Sequence, residues 1–218
     1  MNNLITNELK LYKEYNKICG VDEAGRGPLA GPVVCSAVIF DLEKLTQESN
    51  SEVDYLLTSL NDSKALSEKK REKLFPLIQK YAIAYSIIRI EASEIDRLNI
   101  LHATLEGMDR ALESLSQDWD LALIDGNKLP PRNREKAKYI VKGDATYFSI
   151  SGASVLAKVT RDRIMQDLHL NFPQYNWKKN KGYPTKEHVQ AINKHGVTKH
   201  HRLSYAPCSQ LTIPGLGS

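Results

Sequence analysis

An α/β fold, a sheet flanked by helices with a helical C-terminal portion, is the class this sequence predicts. Three observations predict it: five apolar runs of strand length, helical patterns between them, and an order in which strands come early and helices dominate late.

The strand runs are Ile18–Val21, Val33–Phe40, Ile83–Ile90, Leu121–Ile124 and Tyr139–Val141. Between the first two lies Gly25-Arg26-Gly27-Pro28-Leu29-Ala30-Gly31-Pro32, which leaves no room for a helix. Those strands are therefore joined as a hairpin and run antiparallel. Asp41 to Asp54 is polar and acidic and is expected to be a mobile loop. Ser67–Lys80, rich in Lys and Glu, reads as a helix that Pro76 should shorten or kink. Asn99–Gln117 sets Leu101, Leu105, Met108, Leu112 and Leu115 on one stripe at helical spacing. Ser149–Leu170 does the same with Ile150, Ala153, Ala157, Ile164 and Leu168. A short helix over Thr185–Lys194 is stopped by Gly196. The chain, residues 1–218, reads as one domain with a helical, basic part at about 170–207 and a flexible tail at 208–218.

Of the 218 residues, 30 are Lys or Arg and 26 Asp or Glu, a net charge of +4. No window approaches the roughly 18 apolar residues of a membrane span. Met1–Glu8 lacks a basic start and a long apolar run, so no secretory signal is expected and the protein is placed in the cytoplasm. Cys19, Cys35 and Cys208 form no even framework and no zinc spacing; Cys19 and Cys35 read as buried thiols.

The modest charge hides an asymmetry. From Lys178 to Arg202 seven Lys or Arg stand against one acid, Glu187, giving +6, so residues 1–177 sum to −2. Trp177, Tyr183, His188, His195, His200 and His201 are interleaved. Basic residues among aromatics suit a polyanion with stackable bases, although a solvated helix face has the same composition. Lys178, Lys179 and the His200-His201-Arg202 segment are expected to contact nucleic acid. The histidines lack the spacing of a zinc site.

Gly25, Gly27 and Ala30 nominally satisfy a dinucleotide-binding pattern, but that fingerprint must open a helix, and here a strand follows. Arg26 between two glycines suits a different task. Missing Cβ atoms let backbone groups approach a ligand, and the guanidinium offers a planar donor fork. A tight turn with a solvated Arg26 is the plainer alternative.

Asp22 and Glu23 end the first strand run, Asp125 follows the fourth, and Asp144 follows the fifth just before a helix. Singly, each could be a turn former or cap. If the strands are neighbours, the four carboxylates converge. Such a cluster is costly unless hard divalent cations bind between its oxygens, Mg²⁺ or Mn²⁺ rather than a thiolate-loving metal. Two such ions about 4 Å apart can drive phosphodiester cleavage. Adjacent strand residues face opposite ways, so Asp22 and Glu23 share a site only if the strand bends.

Asp22-Glu23-Ala24-Gly25-Arg26-Gly27-Pro28, Asn61-Asp62-Ser63-Lys64-Ala65-Leu66-Ser67, Ile124-Asp125-Gly126, Lys142-Gly143-Asp144, Ala153 to Asp162 and Lys181-Gly182-Tyr183-Pro184-Thr185 stand in the order and approximate spacing of bacterial ribonuclease HII, of the type 2 ribonuclease H family. The resemblance runs from about Ile18 to Pro207. It implies a ribonuclease H-like fold with a central five-stranded mixed sheet. It also implies an endoribonuclease that cuts 5′ of ribonucleotides in duplex DNA and degrades the RNA of RNA–DNA hybrids, leaving 3′-hydroxyl and 5′-phosphate. Asp22, Glu23, Asp125 and Asp144 would hold two divalent ions, Mn²⁺ or Mg²⁺. Gly25, Arg26 and Gly27 would read a 2′-hydroxyl through the backbone, and Tyr183 would pack on the next deoxyribose. Lys64, Lys158 and Arg161 would serve phosphates. A monomer is implied. A non-catalytic nucleic-acid-binding module of the same fold is the alternative.

The chain departs from the family pattern at Ala145, where a polar residue is usual, and at Gly152, which costs helix stability by up to about 1 kcal/mol relative to Ala. Asp144 in place of Glu, and no long N-terminal extension, favour type HII over type HIII. Gln210-Leu211-Thr212-Ile213 resembles the start of a sliding-clamp-binding peptide, with Pro214 where a bulky apolar residue is usual.

Overall fold

The structure is a computed structural model that describes residues 3–60 and 66–210. Lys64 with most of its motif, and the clamp-like peptide beyond Gln210, lie outside the described residues. Five strands form one sheet in the order β3-β2-β1-β4-β5. They are β1 (Ile18–Ala24), β2 (Val33–Phe40), β3 (Ala82–Ile90), β4 (Leu121–Asp125) and β5 (Ala137–Ile140). β1, β2 and β3 are mutually antiparallel, whereas β4 lies parallel to β1 and β5 parallel to β4. The expected mixed sheet and its first hairpin are both present.

Helices cover both faces. On one side α6 (Ile100–Glu113) sets Met108, Ala111 and Leu112 on Cys19, Val21, Cys35, Ala37 and Ile39. On the other, α7 (Phe148–Asn171) packs with α4 (Glu68–Tyr81) over Val38 and Phe40. The period-2 alternation of the strands thus feeds two separate cores. Gly20 lets α7 lie directly on β1, since a Cβ there would sit 2.2 Å from the Ile150 nitrogen. Gly152 does the same against β2, where a Cβ would meet Phe40 at 2.9 Å. The glycine that weakens helix propensity is thus the one the packing needs.

Two expectations are corrected, and a third is narrowed, since Pro76 does not shorten its helix. The acidic stretch after Asp41 is not a loop: it forms α2 (Leu42–Gln47), capped by Asp41, and α3 (Ser51–Ser59), capped by Asn50. Leu42, Leu45, Val53 and Leu56 are buried, which holds the segment down. Helix α4 runs through Pro76 to Tyr81. The tail is docked as far as residue 210: Cys208 is buried against the cluster of Tyr175 and Trp177. Helix α1 (Asn3–Leu9) and α5 (Ala92–Leu98) complete the main body. The C-terminal part adds α8 (Trp177–Asn180) and α9 (Lys186–His195), capped by Thr185 and followed by Gly196 at φ 77°. Cys19, Cys35 and Cys208 are all free and buried. Among the described residues no helix is long and apolar enough to cross a membrane.

Candidate active site

Strand parity decides where each acid goes. β1 sends Cys19 and Val21 toward α6 and Ile18 toward α7. Asp22 therefore lies on the α7 side, buried, with the Ser154 side chain hydrogen-bonded to it. β4 pairs in parallel with Val21 opposite Ile124, which brings Asp125 to the same end of the sheet. The chain leaving β5 returns there too. Gly143 donates its N–H to Asp125 Oδ1 at 2.6 Å, and the next residue, Asp144, is buried at the approach to α7.

Glu23 reaches this spot from the opposite face. Its N–H donates to Asp22 Oδ1 at 2.7 Å. With Asp125 it lines a small cavity against Leu101, Thr104 and Met108 of α6, and it also borders a pocket on the α7 side. The parity problem is thus met by position, because Glu23 sits near the strand end, where both faces open.

Burial first, then the charges of Glu23 and Asp125, hold the Asp22 carboxyl well above its ordinary value. An oxygen-only donor set in which two carboxylates raise the proton affinity of a buried third suits a hard divalent cation, which would favour the ionised form of Asp22. The acids fit such an ion in chemistry. Among the described residues, no three His, Cys, Asp or Glu are already arranged as a ligand group.

Beside the acids, the glycine loop is fixed from beneath by two buried arginines. Arg202 donates to the carbonyl oxygens of Gly31 (3.1 Å), Arg26 (2.8 Å) and Gly25 (2.5 Å). Arg161 donates to Pro32 (3.0 Å), Ala30 (3.1 Å) and Lys181 (3.0 Å). Gly25 adopts φ +100°, and a Cβ there would strike the Arg161 side chain at 2.0 Å. Burial and the neighbouring Arg202 charge push the Arg161 pKa down to about 10. Arg161, expected on a phosphate, is 1% exposed and spends its donors on backbone. It is a support of the loop, not a surface cation.

Glu23, Gly25, Arg71, Ser154, Lys158 and Tyr183 line one pocket of about 270 Å³. Lys158 borders it while paired with Asp162 at 2.8 Å. Tyr183 is 42% exposed, and a Cβ on Gly27 would stand 3.7 Å from its ring. Arg26 is exposed and lies 3.6 Å from Glu23. A larger groove of about 550 Å³, bounded by Trp119, Arg132 and Lys136, holds none of the expected residues, so size alone does not mark the site. Arg71 carried no signal in the sequence, Ser154 stood there only within the Ala153 to Asp162 motif, and Arg202, expected on nucleic acid, supports the loop instead.

The basic C-terminal segment divides in two. Lys178 and Lys179 are exposed on α8, as a nucleic-acid contact requires. His201 and Arg202 are buried, so the expected contact through His200-His201-Arg202 is corrected. That segment packs inward because Ala30 pairs with His201 in an antiparallel bridge.

Comparison with known proteins gives a consistent result. The family model for ribonuclease HII matches residues 19–208. The chain is 51% identical over 190 residues to a ribonuclease HII of Burkholderia mallei, covering 87% of this chain and 83% of that one. It is 47% identical over 205 residues to one of Magnetococcus marinus, covering 93% and 91%. The crystal structure of ribonuclease H2 from Pyrococcus horikoshii superposes with a TM-score of 0.74 at 26% identity, covering 89% of this chain and 96% of that one.

Proposed function

The chain belongs to the ribonuclease HII family, and we propose on that footing that Asp22, Glu23, Asp125 and Asp144 are its catalytic acids and that the glycine loop and Tyr183 read the substrate. It is an endoribonuclease that acts on RNA–DNA hybrids. The observation that carries the site assignment is the meeting of Asp22, Glu23 and Asp125, close enough for two of them to raise the proton affinity of the third.

The four acids would hold divalent cations, Mn²⁺ or Mg²⁺, which when bound activate a water and stabilise the leaving oxygen of a phosphodiester. The chain's own residues do the reading. A trans peptide points its N–H opposite its C=O. With the Gly25 and Arg26 carbonyls held inward by Arg202, the N–H groups of Arg26 and Gly27 face outward, where a 2′-hydroxyl can accept from them. Only that hydroxyl distinguishes RNA from DNA at a given position. Tyr183, half-exposed across from Gly27, supplies a flat face for the next sugar. Arg71 and Lys158 border the same pocket and suit phosphates. This arrangement supports cleavage 5′ of a ribonucleotide in duplex DNA, with 3′-hydroxyl and 5′-phosphate ends, and hence removal of ribonucleotides from DNA.

The test is cleavage of a labelled duplex carrying one ribonucleotide, beside an all-DNA duplex and a continuous hybrid, with Mg²⁺, Mn²⁺ or EDTA. A metal-dependent nick 5′ of the ribonucleotide and an intact all-DNA control are expected. Cutting of the continuous hybrid alone would remove the junction reading.

A further inference from the structure

The C-terminal core contains a polar chain that the mechanism above does not use. His188 and His201, both buried, face each other with their Nε2 atoms 3.3 Å apart. The Trp177 indole N–H donates to His188 Nε2 at 3.0 Å, and the Thr198 backbone N–H donates to His201 Nδ1 at 2.9 Å. Both of those donors carry a fixed hydrogen, so the nitrogens they meet are bare. The protons then have one arrangement: His201 carries its proton on Nε2 and shares it with His188, and His188 carries its proton on Nδ1. That Nδ1–H lies 3.0 Å from the carbonyl oxygen of Tyr183.

The two ends of this chain are the two reading elements. His201 is bridged to Ala30 of the glycine loop, and the flanking bonds Gly31 N–H to His200 O and Arg202 N–H to Leu29 O are each 2.8 Å. The other end holds the Tyr183 carbonyl, which the Thr185 N–H also meets at 2.8 Å, fixing the peptide plane from which the Tyr183 ring departs.

We propose that His188 and His201 are positioning residues for substrate selection: the imidazole pair transmits the placement of the glycine loop to Tyr183 and holds the two at the separation of one nucleotide step. The inference rests on the reading that Tyr183 packs on the sugar after the ribonucleotide. The surroundings argue for a directional role. Leu29, Met165, Tyr175, Ile192 and Val197 make this an otherwise apolar core. Two buried imidazoles and an indole N–H are a costly filling there compared with hydrocarbon of the same shape, unless their direction matters. Burial lowers the proton affinity of both histidines, with the His201 value pushed down to about 3.

Two substitutions at His188 separate the bonds. The amide of Asn reaches where Nδ1 stands and can still donate to Tyr183; the amide of Gln reaches where Nε2 stands and keeps only the Trp177 side. The readout is the ratio of kcat/KM on a single-ribonucleotide duplex to that on a continuous hybrid. His188→Gln severs the Tyr183 end of the chain and His188→Asn severs the His201 end, so each should lower this ratio about five- to tenfold. Loss of both activities in parallel, or an unchanged ratio in either variant, overturns the proposal. Tyr183→Ala is the control for the underlying reading. If it changes the ratio while His188→Gln does not, the histidine inference alone fails. If it leaves the ratio unchanged, the junction reading fails first. Should either His188 variant not fold, ¹⁵N NMR of the unsubstituted protein decides. A proton on Nδ1 of His188 and on Nε2 of His201 is expected, and a proton on Nε2 of His188 overturns the chain.

Discussion

Glu8 of α1 accepts the backbone N–H of Ser149, 141 residues further on, at 2.9 Å, so the N-terminal helix closes the start of α7. The contact is buried, and desolvation raises the Glu8 carboxyl from 4.5 to about 7 despite the bonds from Ser149. The folded state therefore keeps a proton that the unfolded chain releases above pH 4.5. This acid's contribution to stability is full below that pH and is lost as the pH rises to about 7, beyond which it changes no further. The total is on the order of 3 kcal/mol. Glu8→Gln keeps an acceptor for Ser149 and removes the titration. Thermal denaturation between pH 5 and 8 should show a smaller decline with pH in the variant, which becomes the more stable form at pH 8.

Gly152 sets two effects against each other. Alanine would gain about 1 kcal/mol of helix propensity. Its Cβ would stand 2.9 Å from the Phe40 ring, which is itself packed edge-on against Phe148 at 5.1 Å and cannot swing aside. Overpacking of this kind costs about 1–3 kcal/mol. Gly152→Ala should therefore lower the denaturant midpoint, and a rise would mean that Phe40 yields more readily than the packing implies.

Much of this was legible in the sequence, and the limits have physical causes. Strands β1, β2 and β4 follow from apolar runs because they are buried almost throughout, and α6 and α9 from periodicity because each buries one face. By contrast, β5 buries no residue and starts two residues before its apolar run. Helices α2 and α3 were hidden inside a polar stretch whose caps, Asp41 and Asn50, read equally well as loop residues. The acids were visible as strand-end residues, but their meeting depends on β4 lying parallel beside β1, a pairing of segments about a hundred residues apart, with β5 in turn parallel to β4. Arg161 illustrates the opposite error. A cation in a helix reads as a surface charge, and only the fold shows seven hydrogen bonds to six carbonyl oxygens divided between it and Arg202 in place of a carboxylate partner.

Those carbonyl bonds make Arg202 a stability determinant as well as a support of the loop. Arg202→Met leaves the Gly25, Arg26 and Gly31 oxygens short of their charged donor, while relieving the burial of a cation. The balance should be a loss of about 2–4 kcal/mol. Arg202→Lys should recover little of it, since an ammonium cannot reproduce the planar fork. Chemical denaturation of the two variants would show this as similar drops in midpoint at constant m-value.

Asp125→Asn tests the acid assignment with little change of shape. The amide oxygen can still accept the Gly143 N–H, so the fold should hold. One anionic ligand is lost, and single-turnover cleavage of a hybrid with Mn²⁺ should fall by about 10²-fold or more. Hybrid binding measured in EDTA should remain. A variant that cleaves at the parent rate would remove Asp125 from the reaction.

Lys178 and Lys179 are the exposed cations of α8, directly after the buried Trp177 that anchors the helix. Neither side chain is needed for packing, so replacing both by Ala should leave the thermal midpoint within about 1 °C. Their expected role is with phosphate oxygens, where each neutralised phosphate contributes about 0.9 to the slope of log K against log salt. The double variant should bind a ribonucleotide-containing duplex more weakly irrespective of sequence, and its salt slope should fall by up to about 2. Titrations from low to moderate salt separate this from a local unfolding of α8, which would lower affinity together with thermal stability. An unchanged slope would place the duplex away from α8 and leave the glycine-loop side of the molecule as its main electrostatic contact.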